Sequence, residues 1–196
     1  PITQPRPGHA DFSGMLKYNT NDLRPILERS SARNTAAIVA SAGICRQLLA
    51  QIGIEIFSHV VMIGDVWAKF PTVVDYRELA KIAEESPVRC ASLEAEQEMM
   101  DKITVCMQEG TRDTLGGIFE VVTLGCPPGL GSFVHWDRKL DSRLAQALMS
   151  IQAIKGVEVG LGFGVAQLPG SKVHDELYFG AGEGFTRGTN NAGGIE

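Results

Sequence analysis

The segment that decides the fold class is KGVEVGLGFGVAQLPGSKVHDELYF, at residues 155–179. Its β-branched and aromatic residues predict a glycine-interrupted strand at 155–168 and a second strand at 174–179. The link between them, 169–173, is far shorter than the crossover that parallel strands need. We therefore expect antiparallel sheets, and because helical patterns also occur along the chain, the predicted fold class is α+β.

The longest helical pattern lies at 35–51. Apolar residues recur there with the spacing of one helix face, and Gly53 stands where a glycine commonly ends a helix. We expect this stripe to face the core: Ile38, Ala42, Cys45 and Leu49, widened by Val39 and Leu48. The other predicted elements are helices at 75–85, 93–109 and 140–151, and strands at 53–64 and 116–125.

The two ends of the chain are expected to lack regular structure. Three prolines and a glycine disfavour helix and strand within 1–12, and six glycines without apolar periodicity predict a flexible loop at 180–196. We predict a single domain over 1–196. The first residue is not Met and the last residues are GGIE, which favours a piece of a longer protein.

The composition is that of a globular protein, with 44% hydrophobic and 21% charged residues. The sequence contains no run of eighteen apolar residues, so no membrane span is predicted. The first residues lack the basic and apolar regions of a signal peptide. The four cysteines form no C-x-x-C pair. We therefore predict reduced thiols in a cytoplasmic protein rather than disulfides or a zinc framework.

The charge is acidic overall but basic at the start of the chain. A net charge of −5 argues against nucleic acid or an anionic membrane surface as a partner. Residues 1–46 nevertheless carry six Lys and Arg against three Asp and Glu, whereas the remainder carries twelve against twenty. The first segment could therefore hold a small anion.

The densest group of chemically capable residues is RPGHAD, at residues 6–11. Its proline and glycine favour a rigid loop whose backbone can approach a ligand, and His9 can exchange a proton near neutral pH. The alternative is a plain turn in which His9 only bonds its neighbour Asp11. The residues by themselves favour that turn.

The segment ERSSARNT, at residues 28–35, precedes the long helix. Its hydroxyl residues can cap that helix, with the arginines as ordinary surface residues. Hydroxyls, guanidinium groups and free N–H groups at a helix start can equally converge on phosphate. Both interpretations stay open on the residues alone.

Other polar clusters point more weakly to a site. The segments 113–117 and 127–131 predict turns, and no G-K-[ST] follows them as in a phosphate loop. Gln152, at a predicted helix end, could bond a ring amide. His174 and Glu176 share a strand face and suggest a metal ligand pair, but without a second ligand cluster an exposed polar strand start is favoured.

Several motifs occur together in one order: RPGHAD, ERSSARNTA, GIEIFSHV, DTLGGIFEVV, PPGLGS, LMSIQAIKGVE, GSKVHDE and TNNAGGIE. In this combination the chain resembles the chorismate synthase family over nearly its whole length, apart from a variable stretch at about 65–92. The resemblance implies a β-α-β-type sandwich with helices packed between antiparallel sheets, a homotetramer, and non-covalently bound reduced FMN. It also implies the substrate 5-enolpyruvylshikimate 3-phosphate, which loses phosphate and a ring proton in a trans-1,4 elimination to give chorismate.

The resemblance also implies roles for individual residues. His9 is similar to an active-site histidine that protonates the flavin. The implied flavin contacts are Arg29, Ser30 and Ser31, and Gln152 with Ala153. The residues that resemble contacts to the phosphate or carboxylates of the substrate are Arg6, Ser31 and Arg33. Fixed arginines suit this chemistry, because negative charge develops on the leaving phosphate.

Parts of the family's active site have no match in this chain. A G-x-S-H-G segment with a second histidine and an R-H-D-P-like segment with an Arg and an Asp are both missing, and Asn34 replaces a usual Glu. We therefore expect the chain by itself to be inactive and to bind FMN weakly. Whether the flavin is reduced by the enzyme itself, in an NADP-linked reaction, or by a separate reductase stays open.

Two alternative functions belong to other classes. One is a non-catalytic oligomerisation or scaffold domain of the same family, which flavin absorbance during an FMN titration would distinguish from the enzyme. The other is a metal-dependent hydrolase, which metal analysis would test. Its candidate ligands are His9, Asp11, His174 and Glu176.

Overall fold

The computed structural model describes residues 1–30, 32–70, 75–108, 113–182 and 184–195 of the chain. Contacts within it define two compact units, each described by itself below. The first comprises Pro1–Ser41 and Pro127–Glu196, and the second comprises Ala42–Cys126.

The first unit begins with two short helices, α1 (Asp11–Tyr18) and α2 (Arg24–Ser30). The predicted loop at 1–12 therefore ends at Ala10. The helices approach closely at Gly14, where an added Cβ would lie 2.5 Å from Cγ2 of Ile26. Leu23, just before α2, is fully buried. A small residue on one helix and a branched one on the other thus bring α1 and α2 together.

Helix α3 (Thr35–Gln51) has the predicted bounds. It ends as predicted at Gly53, whose φ is 80°, and the Ile54 N–H donates to the Leu49 carbonyl at 3.0 Å. The prediction that its apolar stripe faces the core is wrong. No residue of α3 is buried, and in the described part of the chain only Leu49 of the stripe is partly covered.

The second unit is built on an antiparallel sheet with the order β2-β1-β3. Its strands are β1 (Glu55–Ile63), β2 (Val66–Trp67) and β3 (Gly117–Leu124). The pairing of β1 with β3 places His59 opposite Glu120 and shifts register between Val60 and Met62. The predicted α+β class with antiparallel sheets is confirmed.

Two predicted helices pack against this sheet, α4 (Tyr76–Glu85) and α5 (Leu93–Gln108). Asp75 caps α4 by accepting from the N–H groups of Arg77 and Glu78. The small core of the unit centres on buried Cys90, Ala95 and Met99. The predicted last residue of α5, Glu109, lies outside the described residues.

The rest of the first unit holds α6 (Leu140–Met149) and an antiparallel hairpin of β4 (Leu177–Gly180) and β5 (Gly184–Arg187). Helix α6 ends at Met149, before its predicted end at 151, and the Ser150 hydroxyl donates to the Ala147 carbonyl at this end. A loop over 180–196 was predicted, and that prediction is wrong for Gly180, which ends β4, and for the four residues of β5.

The predicted strand at 155–168 is also wrong, since Gly162–Gln167 forms a 3-10 helix. Gly160 and Gly162 have φ values of 59° and 52°, and extended backbone cannot adopt them. The strand predicted at 174–179 begins later, at Leu177, because Asp175 is used to hold another loop.

Of the helices in the described ranges, none is long and apolar enough to cross a bilayer. All four cysteines are unpaired, and Cys90 alone among them is fully buried, which raises the pKa of its thiol.

Candidate functional site

A closed loop at residues 6–11 carries the candidate histidine. Arg6 donates three hydrogen bonds to the Asp11 carboxylate: from its backbone N–H at 3.0 Å, from Nε at 2.8 Å and from Nη2 at 3.0 Å. Asp11 is 1% exposed and is the first residue of α1. The Arg6 side chain, the Arg6 backbone N–H and the positive charges of Arg6 and His9 together lower the pKa of Asp11 to about 2.

His9 projects from this loop and is exposed. Its Nδ1 lies 2.8 Å from the Pro7 carbonyl oxygen. A carbonyl only accepts, so Nδ1 carries the hydrogen and Nε2 is the nitrogen available for proton exchange. The plain-turn alternative, with His9 bonded to Asp11, is not what the structure has, because Asp11 bonds Arg6 instead.

The segment 28–35 joins α2 to α3 and holds most of the other predicted contacts. Arg29 is exposed, and no partner for it occurs among the described residues. Ser30 donates its hydroxyl to the Ile26 carbonyl at 2.9 Å, so its oxygen can still accept. Ser31, predicted to contact both flavin and substrate, lies outside the described residues.

Arg33 lies at the surface of this segment, in an ion pair with Glu28. Its Nη1 donates to Glu28 Oε2 at 3.0 Å, and the arginine side chain is 77% exposed. Exposed ion pairs contribute little to stability, so an anion can compete with Glu28 for the guanidinium. Arg33 is therefore placed where it could contact an anionic ligand.

One hydrogen bond joins this segment to the second predicted flavin contact. The Thr35 hydroxyl donates to Gln152 Oε1 at 3.1 Å, although 117 positions separate the two residues. Because Oε1 accepts from Thr35, the amide N–H groups of half-buried Gln152 remain as donors. The structure therefore brings the start of α3 together with Gln152.

Ala153 follows in the left-handed conformation, with φ of 70°. This backbone conformation costs a non-glycine residue about 1 kcal/mol or more, and such residues cluster at functional sites. The strain lies at the predicted contact. No hydrogen bond or ion pair among the described residues joins His9 to Gln152 or to the segment 28–35.

Asp175 organises another loop of the same unit, which sequence reasoning missed. Its carboxylate accepts from the Thr189 hydroxyl at 2.5 Å and from the N–H groups of Asn191 and Ala192 at 2.6 and 2.9 Å. Burial tends to raise the pKa of Asp175, but these three hydrogen bonds outweigh it and lower the pKa. The Leu161 N–H donates to the Asn191 carbonyl at 2.8 Å and secures the loop from another side.

The metal hypothesis finds no geometric support in the described part of the chain. No three His, Cys, Asp or Glu side chains converge there in a way that could hold a metal ion. Of its four candidate ligands, Asp11 is already occupied by Arg6 on both carboxylate oxygens.

The second unit contains a separate cavity of about 520 Å³. It lies between the sheet and α5, and none of the predicted site residues lines it. Its walls are mainly apolar and include Met62, Ile63, Ile103, Cys106 and Phe119.

Comparison with known proteins agrees with the motif resemblance. A family model described as chorismate synthase matches residues 2–196. "Chorismate synthase 2" of Bacillus cereus and "Chorismate synthase 1" of Bacillus anthracis are each 52% identical to this chain over 195 residues, covering 100% of the chain and 50% of each relative. A solved structure, "Crystal Structure of Chorismate Synthase", aligns with a TM-score of 0.89 and 47% identity, covering 95% of this chain and 58% of that one. The chain spans about half the length of the curated relatives it matches.

Proposed function

The chain belongs to the chorismate synthase family, and on that premise we propose that it is part of an enzyme that eliminates phosphate from 5-enolpyruvylshikimate 3-phosphate to give chorismate. Such an enzyme is a carbon–oxygen lyase of the shikimate pathway, which supplies aromatic amino acids. The observation that carries the proposal is the Thr35–Gln152 hydrogen bond, because it joins two motif segments into one group of donors.

Reduced FMN, bound without a covalent link, is the proposed cofactor, and the donors present suit it. The guanidinium of Arg29 and the amide N–H groups of Gln152 are hydrogen-bond donors without partners among the described residues. Phosphate and ring carbonyl oxygens are acceptors that match such donors. Arg29, Ser30, Ser31, Gln152 and Ala153 would hold the flavin.

The protein's own residues have positioning, electrostatic and proton-transfer roles in this proposal. His9 can take up and pass on a proton at Nε2, while Nδ1 keeps its hydrogen bond to the Pro7 carbonyl. Arg33 and Nη1 of Arg6 stabilise the negative charge that develops as the bond to phosphate breaks. The chemistry that reduced flavin supplies when bound is electron density lent to the substrate and returned, without net redox change.

Assembly and location are part of the same proposal. We propose a homotetramer in the cytoplasm that takes a small-molecule substrate and uses neither nucleic acid nor membrane as a partner. The exposed apolar stripe of α3 supports burial against further protein, because large exposed apolar patches commonly mark interfaces. That stripe is also the observation that favours the second candidate, a non-catalytic oligomerisation domain.

Anaerobic titration with reduced FMN and substrate tests the function. We expect a change in flavin absorbance and release of phosphate from a protein that carries this chain together with the remaining length of its relatives. The 196-residue chain by itself is expected to bind FMN weakly and to release no phosphate from the substrate. An unchanged flavin spectrum in the longer protein would favour the oligomerisation domain, and full turnover by the chain alone would contradict its expected inactivity.

A further inference from the structure

The Arg6–Asp11 contact consists of three hydrogen bonds between residues five positions apart. Both carboxylate oxygens accept, and one of them takes two hydrogen bonds, from the Arg6 backbone and from Nε. The backbone bond closes the loop, and the bidentate guanidinium contact fixes its orientation. Asp11 is almost fully buried, whereas the arginine side chain is 41% exposed, so the carboxylate is the inner anchor.

His9 lies inside the loop that this contact closes. Gly8 turns the backbone with φ of 70°, and the Pro7 carbonyl then faces the imidazole and accepts from Nδ1. The ring is thus held by the backbone of the loop itself. Any change that opens the loop changes the position of the Pro7 carbonyl relative to the ring.

We propose that Asp11 is a positioning residue for His9: by closing the 6–11 loop through Arg6, it fixes the imidazole with Nδ1 protonated and Nε2 turned outward. The role of this geometry in turnover rests on the proposed function, in which His9 transfers a proton. The way the loop holds His9 does not depend on the proposed function. Asp11 also fixes the Arg6 guanidinium by two of its nitrogens and leaves Nη1 for an anion.

Asp22 provides a matched control in the same unit. Like Asp11, it lies near the start of a helix and accepts hydrogen bonds from the backbone. Its Oδ1 accepts from the N–H groups of Ile2 and Arg24, each at 3.1 Å. It has no recorded contact with the loop at 6–11 or with His9. Asp22→Asn is therefore expected to weaken a backbone anchor in the same unit without affecting the histidine.

The test measures the tautomer of His9 by NMR in the protein that carries this chain, labelled with 15N in its histidine rings. His9→Gln identifies the resonance by its loss. We expect the neutral ring to be mainly protonated at Nδ1 in the natural sequence and in Asp22→Asn. In Asp11→Asn less than half of the neutral ring should be protonated at Nδ1. Arg6→Gln breaks the same contact from its exposed side and should give the same result, which keeps the test valid if Asp11→Asn does not fold.

Turnover is measured on the same variants. Asp11→Asn should lower kcat by about 10- to 100-fold with little change in KM, because misplacing a catalytic group by an ångström can cost about 100-fold. An unchanged His9 tautomer in both Asp11→Asn and Arg6→Gln would overturn the proposal, as would an altered tautomer with unchanged kcat. Absence of turnover in the natural sequence would instead count against the proposed function, while the tautomer measurement would still decide the role of Asp11 in holding His9.

Discussion

Thr35, at the start of α3, donates its hydroxyl hydrogen to the side-chain carbonyl of Gln152 at 3.1 Å. Neither residue is fully exposed, so the bond is partly shielded from water. It fixes which end of the Gln152 amide faces α3 and leaves the N–H end for a ligand. This contact therefore joins the start of α3, next to one predicted flavin segment, to Gln152 of the other.

Thr35→Val should weaken FMN binding, because it removes the hydroxyl while keeping the shape of the side chain. Losing the net contribution of one hydrogen bond, about 0.5–1.5 kcal/mol, corresponds to a roughly two- to tenfold rise in the Kd for FMN. Flavin absorbance titration of the longer protein measures it. The control is Thr104→Val, whose hydroxyl bonds only the Met100 carbonyl of its own helix. Equal Kd values for the two variants would contradict the role of Thr35.

Gly14→Ala should destabilise the first unit, whereas Gly43→Ala should not. The new methyl at position 14 would meet Ile26 Cγ2 at 2.5 Å, and overpacking of this kind costs about 1–3 kcal/mol. At Gly43, in α3, nothing lies within 4 Å of the new Cβ, so better helix propensity should add up to about 1 kcal/mol. Urea unfolding of both variants measures the change. A stable Gly14→Ala variant would show that α1 and α2 do not pack as described.

The Asp11 contact should make stability depend on pH in the acid range. The carboxyl has a pKa of about 2 when folded and 3.8 as its ordinary value, so the unfolded chain takes up the proton first as the pH falls. The contribution is therefore complete above about pH 4 and is lost as the pH falls through about 2.

Urea unfolding from about pH 5 to about pH 2 checks this, comparing the natural sequence with Asp11→Asn. Other carboxylates with lowered pKa values, such as Asp22 and Asp175, contribute equally to both proteins and cancel in the difference. We expect the difference in free energy of unfolding to shrink on acidification. A difference that stays constant over this range would show that Asp11 is not stabilised by Arg6.

Asp175→Ala should release the loop at 189–192. Its carboxylate holds two backbone N–H groups, and hydrogen bonds to a charged group contribute about 1.5–3 kcal/mol each. Amide hydrogen exchange at Asn191 and Ala192 should therefore accelerate by about tenfold or more. Asp137→Ala is the control, since Asp137 is exposed and has no partner among the described residues. Unchanged protection at both amides would exclude Asp175 as the anchor.

Regular elements with strong local signals were predictable from sequence. Helix α3 has both predicted bounds, and β1, α4 and β3 differ from prediction by at most two residues at either end. Helices α1 and α2 were missed, because each is too short to show a convincing apolar period. The false strand at 155–168 shows that β-branched residues predict a strand only where glycines do not take positive φ.

The candidate site was predictable as a set of motifs but not as an arrangement. The resemblance selected His9, Arg29 and Gln152 from the letters alone. No local pattern relates Thr35 to a residue 117 positions away, and none shows that Asp11 bonds Arg6 rather than His9. Such contacts depend on side-chain directions that sequence spacing does not encode.

The sequence by itself determined the family, the α+β class and the bounds of α3, because ordered motifs, composition and helical periodicity are all written in residue order. Only the tertiary structure decided which polar groups meet: Thr35 with Gln152, Arg6 with Asp11, and Asp175 with the loop at 189–192. It also decided that the apolar stripe of α3 is largely uncovered among the described residues. Burial and hydrogen bonding are relations between distant segments, so they follow from folding and not from local sequence.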